Sequence, residues 1–116
     1  MNRLWNLTQV SELIGCKHQR LSYYLKHDAG GAIKFKSNGG KGNPKYFGRA
    51  SILKLAVVYY MDLLGLSPRI TVQIVRKIRW KDHGHFIFSR TDNDFCEVVV
   101  LLEDIKNKIK TDLAKM

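Results

Sequence analysis

Residues 7–25, LTQVSELIGCKHQRLSYYL, read as two short helices joined by a tight turn, and the rest of the chain looks built to hold or extend that unit. Thr8 is placed to cap the first helix, because a hydroxyl just before an apolar-periodic run accepts a bond from otherwise unpaired helix-start amides. Val10, Leu13 and Ile14 supply the buried stripe of that helix. Gly15 falls where the helix must stop and the backbone turn sharply, and glycine meets a positive φ there without steric cost. A second helix is expected to start near Lys17 and run to about Lys26. Leu21, Tyr24 and Leu25 share one of its faces at i, i+3 and i+4 spacing, while Gln19, Arg20, Ser22, Tyr23 and Lys26 occupy the other. That second set holds two cations, an amide, a hydroxyl and a phenol, which is the repertoire for hydrogen bonding to phosphates and base edges. An ordinary solvated helix face is the competing reading of the same residues.

Working outward, residues 1–6 lead into the first helix, with Leu4 or Trp5 packing over the core and base stacking by Trp5 the lesser alternative. After the second helix, HDAGGAIKFKSNGGKGNPKYF holds two short alternating segments, around residues 33–36 and 45–47, joined by a Gly-rich polar connection. That pattern predicts a hairpin with a mobile tip, presenting Lys41 and Asn43 between Lys34, Lys36 and Lys45. A hairpin beside a helix-turn-helix is a wing. GGKG is not a nucleotide phosphate loop, since it lacks the GxxxxGK[ST] pattern and the helix start that must follow.

Residues 49–64, RASILKLAVVYYMDLL, are long enough for a helix and apolar on nearly every side, so they need cover from several directions: the helix-turn-helix and wing for part of that surface, and the C-terminal region or a second subunit for the rest. Gly65 ends this helix, Ser67 and Pro68 form a start signal for a fourth, and Ile70, Ile74 and Ile78 follow at four-residue spacing to about Arg79. The basic end of the fourth helix, Arg76, Lys77, Arg79 and Lys81, suits either the negative end of its dipole or a phosphate.

These stretches taken together, LTQVSELIGCKHQRLSYYL, the wing ending PKYF, and RASILKLAVVYYMDLLGLSPRITVQIVRKI, are similar in order and spacing to the DNA-binding domain of the MerR family. The resemblance covers residues 5–79. Gly15, Leu21, Tyr23 and Tyr24 fit the family's Gly turn and its Leu-Arg-Tyr-Tyr motif, Lys45 and Phe47 stand at the closing positions of the wing, and residues 65–68 match the turn before the fourth helix. It implies a mainly α fold with a small β wing, a winged helix-turn-helix, in a prokaryotic or phage protein. It further implies sequence-specific binding of double-stranded DNA by a small transcriptional regulator. On that reading helix 17–26 enters the major groove and wing 33–47 lies on the backbone. The DNA-binding residues are then Lys17, His18, Gln19, Arg20, Ser22, Tyr23, Tyr24, Lys26, Lys41 and Lys45, with Gln19 and Arg20 on base edges and Tyr24 shared between core and phosphate. Ser22 stands where the family usually has Arg, Lys45 replaces the wing Arg and Phe47 its Tyr. A lysine meets a phosphate as a point charge and does not reproduce a bidentate guanidinium contact, so operator preference does not carry over.

Beyond residue 80 the chain departs from the family, which continues into a long helix that pairs with its twin. Here HFIFSR, a TDND turn and FCEVVVL read as a β-hairpin, followed by a helix over residues 103–115. The expected division is therefore 1–80, the DNA-binding unit, and 81–116, a hairpin and amphipathic helix for packing or oligomerisation. Leu102, Ile105, Ile109 and Leu113 form one stripe on that helix, which closes the molecule's own core or binds a partner, such as an identical subunit. A second functional reading follows. Small winged-helix proteins of phage excision share the wing without the long coiled coil, so a phage or mobile-element accessory factor, or an antirepressor acting on a protein through the C-terminal region, stands as the alternative. RNA binding is weaker, because the exposed aromatics form no stacking platform on a sheet.

The whole composition agrees with a polyanionic partner. The 116 residues carry 20 Lys and Arg against 10 Asp and Glu, a formal charge of +10. Residues 1–50 contribute +7 of it, so the basic half coincides with the two-helix unit. No apolar run approaches the ~20 residues that span a bilayer, and MNRLWNLTQ lacks the apolar core of a secretory signal, so a cytoplasmic protein without membrane contact is expected. The two cysteines, Cys16 and Cys96, sit in no ligand spacing and read as reduced packing residues. His83 and His85 with Cys96 across the hairpin make a poor metal set, and no metal or other cofactor is expected. The acids are scattered, Asp92 and Asp94 read as turn formers, and no nucleophile, base and orienting group can be nominated. No enzyme is expected.

Overall fold

The computed structural model describes residues 3–28, 33–37, 44–66, 68–81, 85–90 and 93–115. Over them the chain is mostly helical, with a small three-stranded antiparallel sheet and a separate two-stranded hairpin. The sheet begins with strand β1, Trp5–Asn6, and helix α1, Leu7–Ile14, follows without a linker. Asn6 joins the two. Its backbone pairs with Tyr46, while its side chain accepts a bond from the Gln9 amide at 2.9 Å and its own amide donates to Gln9 Oε1 at 3.0 Å. This reciprocal capping box corrects the assignment of the cap to Thr8, which lies inside the first turn. Val10, Leu13 and Ile14 are buried as their spacing requires. Gly15 ends the helix at φ 77°, in the left-handed region, and the Cys16 amide closes the turn onto Ser11 O at 3.1 Å.

Helix α2 spans His18–Tyr23, and the chain then widens into a π-type turn over Tyr24–Asp28. The expected helix to Lys26 is thus regular only through Tyr23. Leu21, Tyr24 and Leu25 are nevertheless all buried, on the i, i+3 and i+4 face that the spacing indicates. Strands β2, Lys36–Ser37, and β3, Lys45–Phe47, pair antiparallel with Lys36 opposite Tyr46, and β3 lies between β1 and β2. The expected hairpin is present, but its tip with Lys41 and Asn43 lies outside the described residues.

Helix α3, Arg49–Leu63, is the centre of the core. Ser51, Ile52, Leu53, Leu55, Ala56, Val57, Val58 and Met61 are all buried, on every side of the helix. Ser51 also donates to Lys34 O at 2.5 Å and so ties the approach to β2 onto α3. Gly65, at φ 79°, ends the helix with a Leu66 amide bond back to Met61 O at 3.1 Å. Helix α4, Pro68–Lys77, packs on α3 and buries Thr71, Ile74 and Val75, with Ile78 buried just beyond its end. It stops two residues short of the expected Arg79, and the cap expected at Ser67 lies outside the described residues.

Strands β4, His85–Arg90, and β5, Asn93–Leu101, form the C-terminal hairpin, irregular near its turn between Ser89 and Arg90. Helix α5, Leu102–Ala114, follows directly and packs against α1, α3 and β4. This answers what covers α3. Leu102 and Ile109 belong to the same core cluster as Val10, Leu13 and Leu53, with Ile105 and Leu113 packed on its margin. Of the two roles open to that stripe, the structure has it closing the chain's own core, so these four residues are not an exposed oligomerisation face. Lys106 is drawn in with them, and its ammonium donates to Trp80 O at 2.6 Å while its stem packs inside.

Candidate nucleic-acid interface

The burial of Leu21, Tyr24 and Leu25 against the core decides which side of the α2 region meets solvent. Lys17, His18, Gln19, Arg20, Ser22, Tyr23 and Lys26 are all exposed, Tyr23 by 50%. Lys26 departs from the expectation in one respect, since it sits on the π-type turn and not on α2 itself. Tyr24 is buried in its ring and meets the Tyr23 ring edge-on at 6.3 Å between centroids. On the sheet, half-buried Lys45 holds its ammonium 5.8 Å from the centre of the Phe35 ring, and Phe35 in turn packs on Phe47 at 5.7 Å. Lys41 lies outside the described residues.

Arg20 and Tyr24 do more than the helix pattern indicated. Spaced i, i+4, they converge on Asp62 near the end of α3. Arg20 Nη2 donates to Asp62 Oδ2 at 2.5 Å, the Tyr24 hydroxyl donates to the same oxygen at 2.6 Å, and Arg20 Nε donates to the Tyr24 hydroxyl at 3.3 Å. Asp62 was legible only as a lone acid in an apolar helix; with Lys54 it is one of two charged residues inside α3 beyond Arg49. That isolation was the one available signal. The consequence is that Arg20, the residue expected on a base edge, is held by a carboxylate in the free protein, with its side chain still 56% exposed.

The electrostatics follow from these contacts. The Tyr24 hydroxyl bond, helped by Arg20 and opposed by partial burial, holds the Asp62 carboxyl below its ordinary range. Burial pushes the Tyr24 phenol well up, and donation to Asp62 adds to this. Burial likewise raises the Cys16 thiol, against the field of Arg20. All three stay in their neutral-pH forms, carboxylate, phenol and thiol.

Among the described residues no group of three potential metal ligands comes together. His83 is outside the described residues, and the hairpin register pairs His85 with Leu101 at the end away from the turn, whereas Cys96 lies beyond the Ser89–Glu97 pair. At ~3.3 Å per strand residue, those positions stand more than ~10 Å apart along the ladder. No helix among the described residues is long and apolar enough to cross a membrane.

The chain matches no protein-family model and no curated protein sequence.

Proposed function

We propose that this protein binds double-stranded DNA as a small winged helix-turn-helix, with α2 in the major groove and the β2–β3 hairpin, the wing, on the neighbouring backbone. The observation that carries the reading is the solvent face of α2. Seven consecutive or near-consecutive positions from Lys17 to Lys26 offer cationic, amide, hydroxyl and phenol groups outward, while Leu21, Tyr24 and Leu25 lock the helix to the core. A rigidly seated helix with that outward chemistry is suited to positioning on phosphates and reading base edges. The +10 charge supports the same partner. The resemblance of residues 5–79 to the MerR DNA-binding domain supports it through pattern alone, and with it a role in transcription regulation.

In this reading Gln19, whose side chain has no hydrogen-bond partner among the described residues, contacts a base edge, and Arg20 reaches one by exchanging Asp62 for guanine acceptors or a phosphate. Ser22, Tyr23, Lys17, Lys26 and Lys45 grip the backbone. Selection from a random duplex library at two salt concentrations tests this. An enriched motif that persists at the higher salt is the expected result, and inverted half-sites about one helical turn apart would mark a two-fold dimer. Binding confined to low salt with no enriched motif would overturn it, and would direct attention to a protein partner of an accessory factor or antirepressor.

A further inference from the structure

The start of α3 carries a second basic site, well away from the Arg20 cluster. Arg49 and Asp62 are thirteen positions apart on α3, or ~20 Å along the axis at ~1.5 Å per residue. A cleft of about 580 Å³ opens there, lined by Arg3, Trp5, Lys36, Gly48, Arg49 and Trp80, together with Leu4 and Ala50. Three of these residues are cations and none is an acid. Arg3, Lys36 and Arg49 are all exposed, and none forms an ion pair among the described residues.

Three further features aim the cleft at an anion. The N-cap of α3 is Gly48, which supplies no side-chain cap, and the nearby Ser51 hydroxyl is turned to Lys34 O instead. Among the described residues the first amides of this 15-residue helix therefore have no side-chain acceptor, and they stand at the positive end of its dipole. Trp5, only 5% exposed, also lines the cleft, and its buried indole N–H is an unmet donor with no acceptor among the described residues. Finally, the guanidinium of Arg3 lies 5.2 Å from the Trp5 ring centre and that of Arg49 lies 5.3 Å from the Trp80 ring centre. An arginine resting on an aromatic face keeps in-plane N–H donors for a tetrahedral oxyanion.

We propose that this cleft is a phosphate-binding site, in which the α3 amides, Arg3, Lys36 and Arg49 hold the oxyanion and the Trp5 N–H gains its acceptor. The phosphate group is either one of a DNA backbone, which would anchor the duplex away from the α2 contact, or a free phosphate. The site does not depend on α2 reading DNA.

Both tryptophans of the chain line the cleft, so intrinsic fluorescence reports its occupancy without a label. The full chain is titrated with sodium phosphate, and with sodium chloride at equal ionic strength. A saturable emission change with phosphate that chloride does not produce is expected, with the midpoint raised about tenfold in Arg49→Gln. Lys36→Gln, which leaves both stacked tryptophans in place, should raise it as well, and unchanged circular dichroism shows that each variant is folded. Phosphate behaving like chloride, or midpoints unmoved in both folded variants, overturns the proposal. A short duplex then separates the sources. If it displaces phosphate, and its own emission change is lost in Arg49→Gln, the group is a backbone phosphate. If phosphate saturates the site while a duplex bound by anisotropy leaves emission unchanged, the site takes a free phosphate and the α2 reading stands on its own. Absence of duplex binding with phosphate binding retained removes the DNA reading and keeps the site.

Discussion

In the proposed DNA-binding reading Arg20 is the residue on which specificity would turn, and in the free protein Asp62 holds it. An exposed ion pair contributes at most about 1 kcal/mol to stability, so the contact with Asp62 is easily exchanged for a DNA acceptor. Arg20→Ala should weaken the preferred duplex by about 1–3 kcal/mol and relax selection at one base position, read by anisotropy against single-base variants. Asp62→Asn should do the opposite on affinity, since it removes both a competitor for the guanidinium and a negative charge near the phosphates. Tighter binding to all duplexes with a smaller preferred-to-random ratio is the expected signature, and an unchanged affinity would place Arg20 outside the interface. The same triad gives a pH dependence. The folded chain holds Asp62 below its ordinary value of 3.8, so its contribution is complete above about pH 5 and is lost as pH falls through the lower folded value. Urea midpoints of the wild type and Asp62→Asn should therefore differ by a constant amount from pH 5 to 8 and converge below pH ~4. In Tyr24→Phe the phenol's hydrogen bond to the carboxylate is gone, and NMR titration should find Asp62 moved back up toward 3.8.

At the scale of elements, what could be read from the chain was local and what could not was distant. The α1 stripe, the Gly15 stop, the inward face of α2, the length of α3 and the stripe of α5 each rest on spacings of three or four residues, which periodicity reports directly. Thr8 and Asn6 are both competent caps, and the choice between them was made by β3: pairing of Trp5 with Phe47 and Asn6 with Tyr46 holds Asn6 extended and hands the helix start to it. A two-residue strand whose partner lies some forty residues away leaves no periodic mark. The Arg20–Asp62 pair and the orphaned Trp5 N–H were hidden for the same reason. The Asn6 cap is testable by itself. Asn6→Ala should cost about 1 kcal/mol in urea unfolding while Thr8→Ala costs a few tenths, because only the first loses a cap bond. Ile109→Ala in α5 should cost about 2–5 kcal/mol if that helix is a core element, and near zero if its stripe were free for a partner.

The whole molecule binds these elements through one core, and this changes how the N- and C-terminal parts can be separated. A division at residue 80 places Val10, Leu13 and Leu53 on one side and Leu102 and Ile109 on the other, yet these side chains form one buried cluster. Lys106 reinforces the join from α5 by its bond to Trp80 O and its place 5.6 Å from the same ring. Helix α3 has almost no polar face to turn outward, so removing α5 bares apolar surface along it, and each large side chain re-exposed costs about 1.5–3 kcal/mol. Against a typical total stability of about 5–15 kcal/mol, a few such side chains are decisive. A chain ending at Arg79 should therefore be unfolded or self-associated, with loss of cooperative thermal melting by circular dichroism and growth in size by light scattering. DNA affinity lost in that truncation would report the missing core and not a C-terminal contact with DNA. A truncated chain that melts cooperatively as a monomer would instead establish residues 1–79 as an independent unit, with the hairpin and α5 free to serve a partner. Substitutions at exposed α5 positions, such as Lys108→Ala or Thr111→Ala, probe the C-terminal surface with the core intact, and should leave duplex binding within about twofold if α2 and the wing make the contact.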